Sequence, residues 1–233
     1  MTTSRAVGLV LMAAAASAIH PRRLLCLQGK GGDGQQMLAR LSALQALLGD
    51  GWQLDCPDAP HQIGASGRAW WINPPGERSY TAPAFEGDAD SIALVESMWA
   101  AKSYSAILGF SQGAMLAAIV SARGLLGHGG VRPRCIVLLG AAVPKPYESL
   151  LCECSATFGR EDAPVVRSLH CLSATDTINP PELGEWVADC FGPSSTRHWH
   201  DSGHVIPGDM GERDLETNIA IADFLRDAAA SFE

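Results

Sequence analysis

A serine set between glycines, Gly109-Phe110-Ser111-Gln112-Gly113, is the stretch of this sequence that most directly offers chemistry. A serine hydroxyl is a weak nucleophile at neutral pH; it needs a base, and the base needs an acid to orient it. The apolar run Ala106-Ile107-Leu108 leads into the serine, and the small-residue run Ala114-Met115-Leu116-Ala117-Ala118 follows it. That order reads as strand, sharp turn and helix, the setting of a nucleophile elbow. In such a turn the serine adopts a strained backbone conformation. Side chains in place of Gly109 and Gly113 would clash with the flanking strand and helix. The start of the helix also supplies an N–H and a positive dipole end where an oxyanion would develop.

Where an elbow of this kind operates, nucleophile, acid and base follow one another in chain order, each at the C-terminal end of a strand. Asp176 follows the strand-like run ending at Ser173, and His204 follows the run ending near Trp199. Of the seven histidines only His204 sits in a loop after a strand; His20, His61, His128, His170, His198 and His200 fall at the N-terminus, in other loops or within strands. Asp201 stands too near His204 to occupy a different strand end, and Asp189 falls within a helix, which leaves Asp176 as the acid. A second oxyanion N–H is expected from the loop after the first strand. Gly29-Lys30 lies there, so the backbone N–H of Lys30 is expected to pair with that of Gln112. The chemistry these groups could do is acyl transfer to water, from a small ester or thioester.

The positioning elements can be read from hydrophobic periodicity. Residues 23–28 form an apolar strand, 35–48 a helix, and 52–56 a second strand. This β-α-β opening predicts a mostly parallel sheet. Periodicity is lost from 57 to 87, a Pro- and Gly-rich segment carrying Trp70, Trp71, Tyr80 and Phe85. A run that long is expected to line or cover a pocket, with Trp70 and Trp71 as substrate-binding residues of an apolar acyl site. A helix is expected over 88–101, then the elbow strand from 104 and its helix to about 126. Further strands are expected over 134–140, 166–173 and 196–199, and helices over 181–190 and 212–229. Residues 141–164 read as irregular and as a second part of the pocket rim. With no repeat or linker, residues 19–233 read as one domain. Its fold class is α/β: an α/β-hydrolase fold, a mostly parallel central sheet flanked by helices on both faces.

An apolar fraction of 47% over 233 residues suffices for a sizeable core. The net charge of −8 and the lack of any basic run argue against nucleic-acid binding. Seven cysteines include no spacing that completes a zinc site, so no metal and no cofactor are expected. Arg5, the apolar residues 6–16 and Ala16-Ser17-Ala18 have the layout of a signal segment over 1–18, too short to anchor in a membrane. That segment would send the protein to the secretory pathway or an organelle; without it the expected location is the cytoplasm.

Two other readings compete. Gly29-x-Gly31-x-x-Gly34, between a strand and a helix and followed at a distance by Asp55, fits the dinucleotide-binding fingerprint of an oxidoreductase. It leaves Ser111, Asp176 and His204 unexplained. A non-catalytic binding protein on the hydrolase fold is the other, and the presence of all three groups counts against it.

The chain from about Arg23 resembles the FSH-type serine hydrolases, a branch of the α/β-hydrolases with carboxylesterases and thioesterases of fungal polyketide pathways among its members. The resemblance rests on Leu24-Leu25-Cys26-Leu27-Gln28-Gly29, Arg68-Ala69-Trp70-Trp71, Asp90-Ser91-Ile92, Ile107 to Ala114, Ser168-Leu169-His170 leading to Asp176, and Gly203-His204-Val205-Ile206-Pro207. It implies Ser111, Asp176 and His204 as nucleophile, acid and base. Three positions depart from the family pattern. Gln28 stands where a histidine is usual, Lys30 where an apolar residue is common, and Ser173-Ala174 where a glycine commonly opens the acid loop. The Lys30 ammonium is expected to favour acyl or leaving groups bearing negative charge.

Overall fold

Near-continuous apolar runs make strands that can be covered on both sides. The computed structural model describes residues 21–157, 166–208 and 214–230. The chain begins with β1 (Arg22–Leu27), α1 (Gly34–Arg40), α2 (Ser42–Leu48) and β2 (Trp52–Asp55). A short antiparallel hairpin follows, β3 (His61–Ile63) and β4 (Gly67–Ala69), then α3 (Asp88–Ala101), β5 (Tyr104–Phe110) and α4 (Gln112–Leu125). The rest is β6 (Cys135–Leu139), α5 (Glu148–Thr157), β7 (Arg167–Ser173), α6 (Pro181–Asp189), β8 (Ser195–His200) and α7 (Leu215–Ala230).

Six strands form one parallel sheet in the order β2-β1-β5-β6-β7-β8. The two-residue period of a strand sends alternate side chains to opposite faces. Leu25 and Leu27 of β1 join a core with Val95 of α3, Ile119 of α4, Leu151 of α5 and Val187 of α6. Leu24 and Cys26 join a second core with Met37 of α1, Leu44 of α2 and Leu225 of α7. Helices therefore cover both faces, as the α/β-hydrolase fold requires.

Three expectations need correction. The helix expected over 35–48 is two helices meeting at Leu41, whose ψ of 8° caps the first. The segment 57–87 contains the β3–β4 hairpin. Residues 148–157, expected to be irregular, form α5, which buries only Leu151 and Cys154 and therefore leaves little periodic signal. The segment 1–18, with its expected signal sequence, lies outside the described residues. Among the described residues no helix is long and apolar enough to cross a membrane.

A parallel sheet gathers the C-terminal ends of its strands on one edge. The loops leaving β1, β5, β7 and β8 carry Lys30, Ser111, Asp176 and His204 respectively, and all four emerge there.

Candidate active site

Ser111 has φ 53° and ψ −117°, and it is the one non-glycine residue with positive φ among the described residues. Such a conformation costs about 1–3 kcal/mol and persists only where its surroundings fix it. Here the Ser111 N–H donates to the Leu139 carbonyl at the end of β6 (2.9 Å), and its carbonyl accepts from Met115 in α4 (3.1 Å). The two glycines allow the close approach that this requires. A Cβ on Gly109 would lie 2.4 Å from the Gly113 carbonyl oxygen, and one on Gly113 would lie 2.1 Å from that of Leu27.

The turn brings Ser111 to His204, with Oγ and Nε2 2.9 Å apart. His204 Nδ1 is 2.6 Å from Asp176 Oδ2. With the carboxyl ionised, Nδ1–H donates to Asp176, which leaves Nε2 to accept from the serine hydroxyl. Asp176 is buried, and its other oxygen accepts from the N–H groups of Ile178 (2.8 Å) and Asn179 (2.9 Å). Burial pushes this carboxyl up. The hydrogen bond from His204, the Asn179 N–H, the His204 charge and the Ile178 N–H together outweigh burial and hold it below the usual carboxylate range. The Asp176 carboxyl is thus poised to stay ionised at neutral pH.

Acid loop and base loop are tied to each other by Ser173, one of the positions that depart from the family pattern. Its Oγ accepts from the Gly203 N–H (3.1 Å) and shares a hydrogen bond with Thr175 Oγ1 (3.0 Å), which donates to the Asp201 carbonyl (3.0 Å). Asn179 does the same toward β6, donating to the Gly140 carbonyl (2.7 Å). Neither role is visible in the sequence, because each depends on loops far apart along the chain. The competing acid Asp189 pairs with Arg197 on the surface. His170 is buried inside β7.

The Gln112 N–H opens α4 and has no intrahelical acceptor. Among the described residues nothing accepts from the Lys30 N–H either. The Gln112 side chain holds this region together. Its Oε1 accepts from the Trp70 N–H (2.8 Å), and its Nε2 donates to the Trp71 carbonyl (2.9 Å). The Trp70 indole N–H donates to the Gln28 carbonyl (2.8 Å), and Gln28 Nε2 to the Gly32 carbonyl (2.6 Å).

This arrangement corrects the expectation for Trp70 and Trp71. Both have 0% exposure. They lie beneath the site instead of lining it, because their indole N–H groups find acceptors inside. Trp71 donates to Ser79 Oγ (3.1 Å) and stacks on Phe85 at 4.5 Å. The cleft above the serine has a volume of about 440 Å³. Lys30, Asn73, Arg78, Ser79 and Asn179 give it polar walls, with apolar surface from Phe110, Met115 and Ile178. The expected apolar acyl pocket is therefore a cleft of mixed polar and apolar lining.

Two glycines of the dinucleotide fingerprint serve packing, and the third, Gly31, takes a φ of 93° in the turn. A Cβ on Gly29 would lie 2.8 Å from the Phe110 ring, and one on Gly34 would lie 2.1 Å from the Cys56 carbonyl oxygen. Asp55, the would-be ribose ligand, accepts from Lys102 (2.5 Å) and Tyr104 (2.6 Å). No group of three or more His, Cys, Asp or Glu residues among those described could hold a metal.

The model of the serine hydrolase family FSH1 matches residues 16–214. This chain belongs to that family. A human relative, Esterase OVCA2, is 28% identical over 225 residues, spanning 84% of this chain and 94% of that protein. Among solved structures, maize acyl-protein thioesterase 2 superposes with a TM-score of 0.65 at 20% identity, covering 90% of this chain and 94% of the other. Esterase PE8 superposes with a TM-score of 0.64 at 21% identity, covering 89% and 92%. The FSH1 member described here is a hydrolase on the α/β-hydrolase fold, and membership accounts for the elbow without recourse to dinucleotide chemistry.

Proposed function

We propose that this hydrolase cleaves carboxylic esters or thioesters through Ser111, His204 and Asp176 by way of an acyl-enzyme. One observation carries the reading: His204 stands within hydrogen-bond reach of Ser111 on one ring nitrogen and of Asp176 on the other. As Ser111 Oγ attacks the acyl carbonyl, His204 Nε2 takes the hydroxyl proton, and Asp176 stabilises the imidazolium. The N–H groups of Lys30 and Gln112 receive the oxyanion. Collapse expels the alcohol or thiol, protonated by His204. Water, deprotonated by the same nitrogen, then attacks the acyl-serine and releases the acid.

The test is hydrolysis of a p-nitrophenyl ester series of increasing acyl length, together with acyl thioesters, by wild type and Ser111→Ala. The variant should lose about 10⁴- to 10⁶-fold in kcat and should no longer take a fluorophosphonate label. Equal turnover by both proteins would overturn the mechanism.

A further inference from the structure

Among the described residues, seven lysines and arginines pair with carboxylates. Of the lysines, Lys102 pairs with Asp55 and Lys145 with Glu148, each at 2.5 Å. Among the arginines, Arg68, Arg123, Arg167, Arg197 and Arg226 also reach carboxylates. Lys30 and Arg78 differ. Both are exposed, both line the cleft that holds Ser111 and His204, and neither reaches a carboxylate among the described residues. In a chain with a net charge of −8, two uncommitted cations facing the reacting serine are a local reversal of sign. Against the single carboxylate of Glu77 on the same wall, the two cations leave the cleft with a net positive charge, which favours anionic ligands.

The remaining walls fit the same kind of guest. Asn73 and Ser79 hydrogen-bond to each other across the cleft wall (3.3 Å), and Asn179 contributes a third polar side chain. Glu77 is the carboxylate among the lining residues; one of its oxygens accepts from Thr81 Oγ1 (2.5 Å), and its charge offsets one of the two cations. Lys30 carries its charge on a flexible four-carbon stem, and Arg78 offers a planar fork suited to a carboxylate. The stem begins at the residue whose N–H faces the proposed oxyanion, so a charged group on a bound substrate need not lie far from the scissile carbonyl.

We propose that this cleft selects esters or thioesters whose acyl or leaving portion carries a carboxylate, with Lys30 and Arg78 as the specificity-determining pair. The proposal rests on the hydrolase reading above. Two exposed charge contacts correspond to roughly a three- to tenfold preference at low ionic strength.

Two matched substrate pairs test it. The acyl arm compares the p-nitrophenyl half-ester of adipate with p-nitrophenyl hexanoate. The leaving-group arm compares the hexanoyl thioester of mercaptopropionate with that of propanethiol. In at least one arm the anionic member should have the higher kcat/KM, and the arm that responds identifies the side of the scissile bond. The advantage should shrink in about 0.5 M NaCl, where screening is strong, and in both Lys30→Gln and Arg78→Gln. Equal kcat/KM within both pairs, or an advantage untouched by salt and by both variants, would overturn the selectivity. That result is distinct from failure of the hydrolase reading, in which wild type would cleave neither neutral ester nor neutral thioester, or Ser111→Ala would cleave them equally; the selectivity would fall with it.

Discussion

Asp176 does two things for His204: it holds the ring and it fixes which nitrogen carries the proton. Asp176→Asn keeps the shape of the side chain but favours the wrong tautomer, so kcat should fall about 10⁴-fold with little change in KM, read from steady-state kinetics. The triad candidates were legible in sequence because an elbow is a local pattern and its partners obey a fixed order along the chain. Trp70 and Trp71 stand out in the sequence, but their role does not. Composition shows that a loop has aromatics, but whether they face a ligand or the interior depends on acceptors for their indole N–H groups. Here the Gln28 carbonyl, far off in the chain, accepts from Trp70, and Ser79 Oγ, across a turn of the same segment, accepts from Trp71. For the same reason nothing in the sequence marks Arg78, since no periodicity shows which side of a loop lines the cleft.

Among the elements, the packing of α4 against β1 fixes the position of Ser111. A methyl at Gly113 would meet the Leu27 carbonyl at 2.1 Å, and backbone on both sides leaves no flexible group to yield. Gly113→Ala should therefore lose about 3 kcal/mol or more of stability or fail to accumulate as soluble protein. Gly130→Ala is the control: nothing lies within 4 Å of the added carbon, so its stability should stay within about 0.5 kcal/mol of wild type. Thermal melts followed by circular dichroism compare the two. Strands of the parallel sheet were readable because burial on both faces gives uninterrupted apolar runs. Helix α5 was not, since two buried residues on a short amphipathic stretch rich in Cys, Ser and Glu leave almost no period to detect.

For the molecule as a whole, the pH dependence of stability is set in part by a histidine outside the site. Burial, aided by the Arg197 charge, lowers the pKa of His170 from 6.5 to about 3. The unfolded chain takes up a proton there as pH falls below 6.5, while the folded protein does not until about 3. The stability tied to the neutral ring is thus present above the unfolded value and lost across that window, by about 2 kcal/mol at pH 5. His200 is shifted down by burial and by His198, and it acts in the same direction. Asp176 adds its loss at lower pH, once its carboxyl is protonated below the usual range. Urea midpoints from pH 7 to pH 5 should fall in wild type and fall less steeply in His170→Asn; parallel slopes would show that His170 is not the group responsible.

The indole of Trp70 is sealed from water and donates its N–H to the carbonyl at the root of the loop that carries Lys30. Indole emission responds to that hydrogen bond and to hydration. The loop therefore rests against a native fluorophore: its loosening by heat, denaturant or a bound acyl group would change the part of the emission that is lost in Trp70→Phe, with no dye attached.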